Sequence, residues 1–268
     1  MKIEVFAPSP HLAPYVHYYW IVESESTGYL GGGSHRVIPN GLVELLINFG
    51  DDLYCSTSAA PNPRVSLCGQ KSGYHDIIQL RRTRLMSVLL KPLGAAVFVP
   101  FALKEVADTS VHVDDVFGSR SDSLLDMVAG AKTSMERITV VESFLSGQMH
   151  TRYRPEYRLM DGIIQAVTRT CGQITVDDLC SLFDVNAKFL ERKFALYVGL
   201  RPKMFLRVVR FQHVLRTFMN GRMPLTELAY TCGYYDQPHF IREIREFSGM
   251  SPGELFSCEH VYSDYFIN

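Results

Sequence analysis

The chain is predicted to be an α+β protein, with strands confined to the first ~115 of its 268 residues and helices after them. Three observations predict this. Short β-branched and aromatic runs bounded by turn residues fill the first half. From Ser121 onward, apolar residues recur at three- and four-residue steps. In the last third, a short helix, a tight turn and a longer helix are written twice.

"YVHYYWIVE" (Tyr15–Glu23) reads as a strand, and "HRVIPNGLVELLINFGDDLY" places the turn Pro39-Asn40-Gly41 between two apolar runs. "RTRLMSVLLKP" (Arg82–Pro92) is a further strand that its proline ends. The run Gly31-Gly32-Gly33 reads as a loop, because it lacks the strand-then-helix setting of a phosphate cradle. Leu124, Leu125 and Val128, then Ile138, Val141, Phe144 and Leu145, mark helices. "GQMHTRYRPEYR" (Gly147–Arg158) is polar and carries a proline, as a linker does. The chain is therefore divided into a regulatory, sensor-like part at 1–150 and a helical part at 156–258.

In the helical part, "LERKFALYVGLRP" (Leu190–Pro202) aligns without gaps to "FIREIREFSGMSP" (Phe240–Pro252). Upstream, "LCSLFDVN" aligns to "LAYTCGYYD" with one extra residue in the second copy. Thr175 with Asp178 suits a helix start, and Pro224 suits the first turn of the matching helix. Gly233 sits where the turn requires positive φ; its counterpart Asp184 tolerates that region less well. Asn186 and Asp236 are placed as N-caps and Pro238 in a first turn. Gly199 and Gly249 stop the longer helices, and Pro202 and Pro252 start the next ones. Each copy has the geometry of a helix-turn-helix, whose second helix can enter a DNA major groove, and equally that of a helical hairpin packed on the other copy for partner binding; the exposed side chains and local charge decide between them.

Composition narrows the function classes. Hydrophobic content of 47% and charged content of 21% are globular values, and the net charge of −1 gives no chain-wide signal for nucleic acid. The signal is local: from Lys188 to Arg216, eight basic residues face a single acid, Glu191. The segment MKIEVFAPSP lacks the apolar core of a signal peptide, and no uncharged apolar run approaches the length of a membrane span. Six cysteines without a C-x-x-C pair read as reduced thiols, so the expected location is cytoplasmic.

On the two longer helices, Leu190, Phe194, Phe240, Ile244 and Phe247 are expected inward. Lys188, Glu191 and Arg192 are left outward on the first, and Gln237, His239 and Arg242 on the second. Arginine, lysine and glutamine are side chains that read base edges. Between the copies, "PKMFLRVVRFQHVLRTFMNG" (Pro202–Gly221) is a continuous helix about 27 Å long. Such a rod could hold two recognition helices about one DNA turn apart, near 34 Å.

With these residues, the span from about Glu156 to Phe256 resembles the AraC type of bacterial transcription regulator. The resemblance rests on "L-E-R-K-F" with "G-L-R-P", and on "L-A-Y-T-C-G-Y-Y-D-Q-P-H-F-I-R-E-I" with "F-S-G-M-S-P". It implies an all-α domain of about seven helices with two helix-turn-helix units reading successive major-groove segments of double-stranded DNA. Carried over by position, the base-facing residues are Lys188, Glu191 and Arg192, then Gln237, Pro238, His239 and Arg242. Arg201, Lys203 and Arg207 are placed at phosphates. Asp184 stands where the family has a turn glycine, Cys180 where it has alanine, and Ile244 where an aromatic is expected. The first unit is accordingly expected to bind less strongly than the second.

More weakly, "LAPYVHYYW", "VIPNGLVELLINFG", "CGQ" and "LLKPLGAAVFVP" resemble the sensor-like domain that precedes this DNA-binding domain in some members. That likeness implies a small β-barrel-like domain with trailing helices, which binds an effector or dimerises. The regulator reading adds a homodimer and RNA polymerase as partners, with no membrane contact. Tyr18, Trp20 and Tyr54 are aromatic candidates for an effector pocket.

No cofactor and no metal are expected. His35, His75 and His112 lack the paired spacing of a metal-binding barrel. The adjacent pairs Asp51-Asp52 and Asp114-Asp115 send their side chains apart on a strand. No catalytic residues are assigned, and Ser34, His35 and Asp51 lack the spacing of a nucleophilic triad. Two alternatives remain for the first half: a cupin-type enzyme fused to a DNA-binding tail, or a protein-interaction module without a ligand.

Overall fold

The computed structural model describes residues 2–24, 34–56, 60–79, 82–149, 156–221 and 223–257. The glycine run at 31–33, the middle of the expected linker and Cys258 lie outside the described residues. Strands precede helices, as the sequence pattern requires. They are β1 (Lys2–Phe6), β2 (Val16–Ser24), β3 (Ser34–Val37), β4 (Val43–Asn48), β5 (Leu53–Cys55), β6 (Val65–Cys68), β7 (His75–Gln79), β8 (Thr83–Leu90) and β9 (Ser110–His112).

The expected barrel is built from two antiparallel sheets. One has the order β1-β2-β8-β4-β6-β9 and the other β3-β7-β5. Asn40 explains the junction between β3 and β4: its side chain accepts from the Leu42 amide, and Gly41 follows at φ +78°. In the large sheet, period-2 alternation separates two faces. Tyr19, Ile21, Leu45, Ile47, Val65, Leu67, Met86 and Val88 bury one face. The helices after the strands pack against it: α1 (Ala95–Phe98), α2 (Val113–Phe117), α3 (Ser121–Gly130) and α4 (Ser134–Gln148). Register places Tyr18, Trp20, Glu44, Ser66, Cys68, Ser87 and Leu89 on the other face.

Among the described residues, seven helices make up the C-terminal part. They are α5 (Glu156–Arg169), α6 (Val176–Phe183), α7 (Ala187–Tyr197), α8 (Pro202–Asn220), α9 (Leu225–Thr231), α10 (Gln237–Ser248) and α11 (Pro252–Ser257). Among the described residues, no helix is long and apolar enough to cross a membrane. The shared core runs through Leu179, Leu190, Phe194, Phe205, Phe211, Leu228, Phe240, Ile244 and Phe247. Burying each such side chain is worth about 1.5–3 kcal/mol, so the apolar stripes fix which faces of α7 and α10 turn outward.

The two parts are in contact. Ile38 and Leu93 join the helical core, and the Gln212 amide on α8 donates to the Pro39 carbonyl. Arg36 on β3 binds both oxygens of Asp76 on β7 and also donates to the Ser248 carbonyl at the end of α10. Its guanidinium lies 4.3 Å from the Tyr74 ring centre. A β-carbon added at Gly249 would come within 2.6 Å of Tyr74 and 2.7 Å of Arg36, so only glycine allows this approach.

Strand pairing changes how the histidines are read. His35 and His75, forty positions apart in sequence, lie on the paired strands β3 and β7, with Val37 opposite His75 and His35 opposite Ile77. Among the described residues, no group of three or more His, Cys, Asp or Glu side chains could hold a metal ion. Cys68, Cys171, Cys180 and Cys232 form no disulfides.

Candidate nucleic-acid interface

Local chemistry sets the ends of both helix-turn-helix units. At α6, the Thr175 hydroxyl accepts from the Asp178 amide while the Asp178 carboxylate accepts from the Thr175 amide, a reciprocal cap. The Thr175 bonds also hold the Asp178 carboxyl below the usual carboxylate range. Asn186 caps α7 by accepting from the Phe189 amide, and Asp236 caps α10 by accepting from the His239 amide. Pro224 stands at the N-cap of α9, one place ahead of its expected first-turn position, and Pro238 lies in the first turn of α10.

The turns differ in cost. Gly233 has φ +77° and Asp184 has φ +50°, so the first unit holds a non-glycine residue in the left-handed region. At Gly233 a β-carbon would also meet the Gln173 side chain at 2.7 Å. Gln173 reaches across from the start of the first unit, and its amide donates to the Thr231 carbonyl at the end of α9.

The two longer helices present the side chains expected of them. Lys188, Glu191 and Arg192 on α7 are exposed, as are Pro238 and Arg242 on α10. Gln237 and His239 are half-buried. The Gln237 amide is bonded to the Thr226 hydroxyl, and the His239 ring meets Tyr234 edge-on at 5.3 Å. Arg192 lies 5.8 Å from the Phe189 ring centre. Arg201 and Lys203, at the start of the rod α8, are exposed. A groove joins the second unit to the first, lined by Thr175 and Asp177 of α6, Lys203 and Arg210 of α8, and His239 and Arg242 of α10. His239 and Arg242 of α10 thus share one concave surface with basic side chains of the rod.

Three cations counted in the basic stretch are already engaged inside the protein. Lys193 is buried and bonds Glu156 at 2.7 Å, tying α7 to α5. Arg207, expected at a phosphate, gives its Nε to Glu243 and its Nη2 to Glu246 on α10. Burial alone would lower the Arg207 pKa, but the two carboxylates more than offset this and raise it. Arg210 donates twice to the Gly172 carbonyl and lies 5.5 Å from the Tyr234 ring centre. These arginines hold the two units together through α8.

Sequence reasoning missed Glu243. It is 3% exposed, accepts from the Tyr234 hydroxyl at 2.8 Å, and binds Arg207 at 2.9 Å. Tyr234 is buried against that carboxylate, and both effects push its pKa upward. Only the placement of Glu243 beside the Phe240–Ile244–Phe247 stripe hinted that it needed partners.

The aromatic candidates separate. Tyr18 and Trp20 lie on the face of the large sheet turned away from its packed helices, together with Glu44 and Cys68. Tyr54 pairs with Ile78 on the small sheet, and Ile78 is exposed, so Tyr54 shares that outer face. The Trp20 indole is 8% exposed, and its N–H has no hydrogen-bond partner among the described residues. Burial pushes the Glu44 carboxyl up and the His75 imidazole down, the latter to about 4.

Comparison with known proteins gives two family matches. Residues 179–257 match a helix-turn-helix domain, and residues 4–112 match a domain of unknown function, DUF6597. Among relatives, the HTH-type transcriptional regulator ArgR of Pseudomonas aeruginosa is 23% identical over 143 residues, covering 53% of this chain and 41% of that protein. GbdR of the same species is 32% identical over 82 residues, covering 30% and 22%. The HTH-type transcriptional activator RhaS of Enterobacter sp. is 27% identical over 86 residues, covering 31% and 30%. The chain thus spans less than half the length of these relatives. Among solved structures, ToxT of Vibrio cholerae O395 is similar at a TM-score of 0.47 and 8% identity, over 95% of this chain and 96% of that one.

Proposed function

We propose that this chain, whose C-terminal part is an AraC-type helix-turn-helix domain behind a domain of unknown function, is a sequence-specific DNA-binding transcription regulator. One observation carries the reading: two capped units, built to one pattern on one rod, leave polar side chains uncovered at matching positions. In this reading Lys188, Glu191 and Arg192 face bases from α7, and Gln237, Pro238, His239 and Arg242 from α10. Arg201 and Lys203 meet phosphates. Arg207 serves the protein's own architecture instead. Residues 156–258 form the DNA-binding domain and 1–150 the regulatory one.

The regulatory part takes a small effector on the face of the large sheet turned away from its helices, where Tyr18 and Trp20 stand buried. The support is chemical: a buried indole N–H without a partner, on the same sheet face as the Glu44 carboxyl, suits a polar ligand. A homodimer in the cytoplasm, working with RNA polymerase, completes the proposal. The relatives' names describe regulators, which favours this reading over a barrel enzyme.

Selecting bound sequences from random DNA with the full chain, with and without cell metabolites, tests both parts. An enriched sequence is expected, with a metabolite changing its affinity. Recovery of unenriched DNA would sink the sequence-reading claim.

A further inference from the structure

We infer that Glu243 is a positioning residue for base reading: it fixes the rotation of α10 about its own axis and so decides which side chains that helix offers to DNA. The inference rests on the DNA-reading proposal and adds a residue that does not itself touch DNA.

Glu243 lies between two faces of α10. The Phe240–Ile244–Phe247 stripe is fully buried, while Arg242, Arg245 and Glu246 are exposed. A carboxylate with 3% exposure is costly unless its oxygens are bonded. An apolar side chain would continue the core stripe with no such demand, so packing alone gives no reason for an acid here.

Its partners come from two different elements. The Tyr234 hydroxyl, from the turn before α10, donates to one oxygen at 2.8 Å. Arg207 Nε, from α8, donates to the other at 2.9 Å. The same guanidinium forks onward to Glu246, three residues along α10, and lies 5.0 Å from the Phe247 ring centre. His239 Nε2 lies 3.9 Å from Glu243 Oε2, one turn back.

Such an arrangement has one solution. Apolar side chains tolerate a small roll of a helix against its neighbours, because dispersion contacts are non-directional. Two hydrogen bonds from separate elements do not, because their strength falls steeply with angle. Rolling α10 would leave a buried carboxylate, a buried phenol and an arginine unpaired together. Successive residues lie about 100° apart around a helix, so even a roll well short of that swings Arg242 sideways at the groove and off the base edge it would meet. The network continues through the Tyr234 ring to Arg210 and the Gly172 carbonyl ahead of α6. The rotation of the second reading helix is thereby referred to the frame of the first.

The test uses the full chain and the sequence it enriches from random DNA. Affinity is measured for that site and for every single-base variant of it, with wild type, Glu243→Gln and Tyr234→Phe. In Glu243→Gln, discrimination at the bases read by α10 is expected to fall at least about fivefold. Discrimination at the bases read by α7 should stay within twofold, and affinity for scrambled DNA should be unchanged. Tyr234→Phe, which removes only a hydroxyl, should shift the same positions in the same direction by less. It also carries the test if Glu243→Gln does not fold. An equal loss at the bases read by α7, at those read by α10 and on scrambled DNA, in a folded Tyr234→Phe, overturns the inference. Unchanged discrimination in a folded Tyr234→Phe and Glu243→Gln pair overturns it too. If wild type enriches no sequence, the DNA-reading proposal itself has failed, which is a different result.

Discussion

The Arg36 guanidinium donates to the Ser248 carbonyl at 3.1 Å, joining β3 of the first half to the last turn of α10. Asp76 holds the same guanidinium through two further bonds, at 2.7 and 2.9 Å. A helix C-terminus carries unsatisfied carbonyls and a partial negative charge, so a cation there both caps and attracts.

Removing that cation should therefore cost stability. Arg36→Ala is expected to destabilise the chain by about 1–3 kcal/mol, as for hydrogen bonds to charged groups. Urea unfolding would show it, with Asp76→Ala costing little more once Arg36 is gone. Additive losses from the two changes would mean that the pair does not act as a unit.

The matched turns predict opposite responses to one atom group. Asp184→Gly should be neutral or stabilising by up to about 1 kcal/mol, because it relieves a left-handed conformation. Gly233→Ala should destabilise by more than about 1 kcal/mol, because strain and the Gln173 contact act together. Thermal unfolding of the two variants separates these outcomes. Equal destabilisation would contradict the turn geometry.

The basic residues of α8 divide by partner. Lys203→Ala should weaken binding to all DNA alike and lower the salt slope by about one. Arg207→Ala should leave the slope nearly unchanged and instead lower the unfolding midpoint, since its charge is engaged by Glu243 and Glu246. A reduced slope in Arg207→Ala would return that residue to the phosphate backbone.

His75 gives a pH dependence of fixed sign. Burial, with Lys71, pushes its folded pKa to about 4, below the ordinary histidine value of 6.5. The unfolded chain then binds the extra proton first. This stability is present above about pH 6.5 and is lost as pH falls toward 4. Glu44 acts in the opposite sense, because its raised pKa favours the folded state on acidification. His75→Gln should flatten the acid loss in melts recorded from pH 7 to pH 4.5. An unchanged slope would show that His75 is not buried neutral.

Local features of the fold were legible in the sequence because local chemistry sets them. Thr175, Asn186 and Asp236 cap helices through bonds three residues away, and Gly249 ends α10 at φ +69°. What was not legible depends on distant partners. Lys193 and Arg207 were counted as free cations, yet each is committed to an acid more than thirty positions away. Glu243 drew no notice because neither Arg207 nor the Tyr234 hydroxyl is implied by helical spacing. Tyr54 was grouped with Tyr18 and Trp20 because the pairing of a three-residue strand, β5, with β7 leaves no periodic trace.

The most direct measurement of the central claim is affinity as a function of the separation between the two half-sites of the enriched sequence. Two helices held on one rod should read segments about one helical turn apart, 10–10.5 base pairs. Inserting two base pairs or a full turn should therefore leave only the affinity of a single unit for its half-site. Specific binding that persists unchanged across all insertions would mean that the two units do not read DNA together.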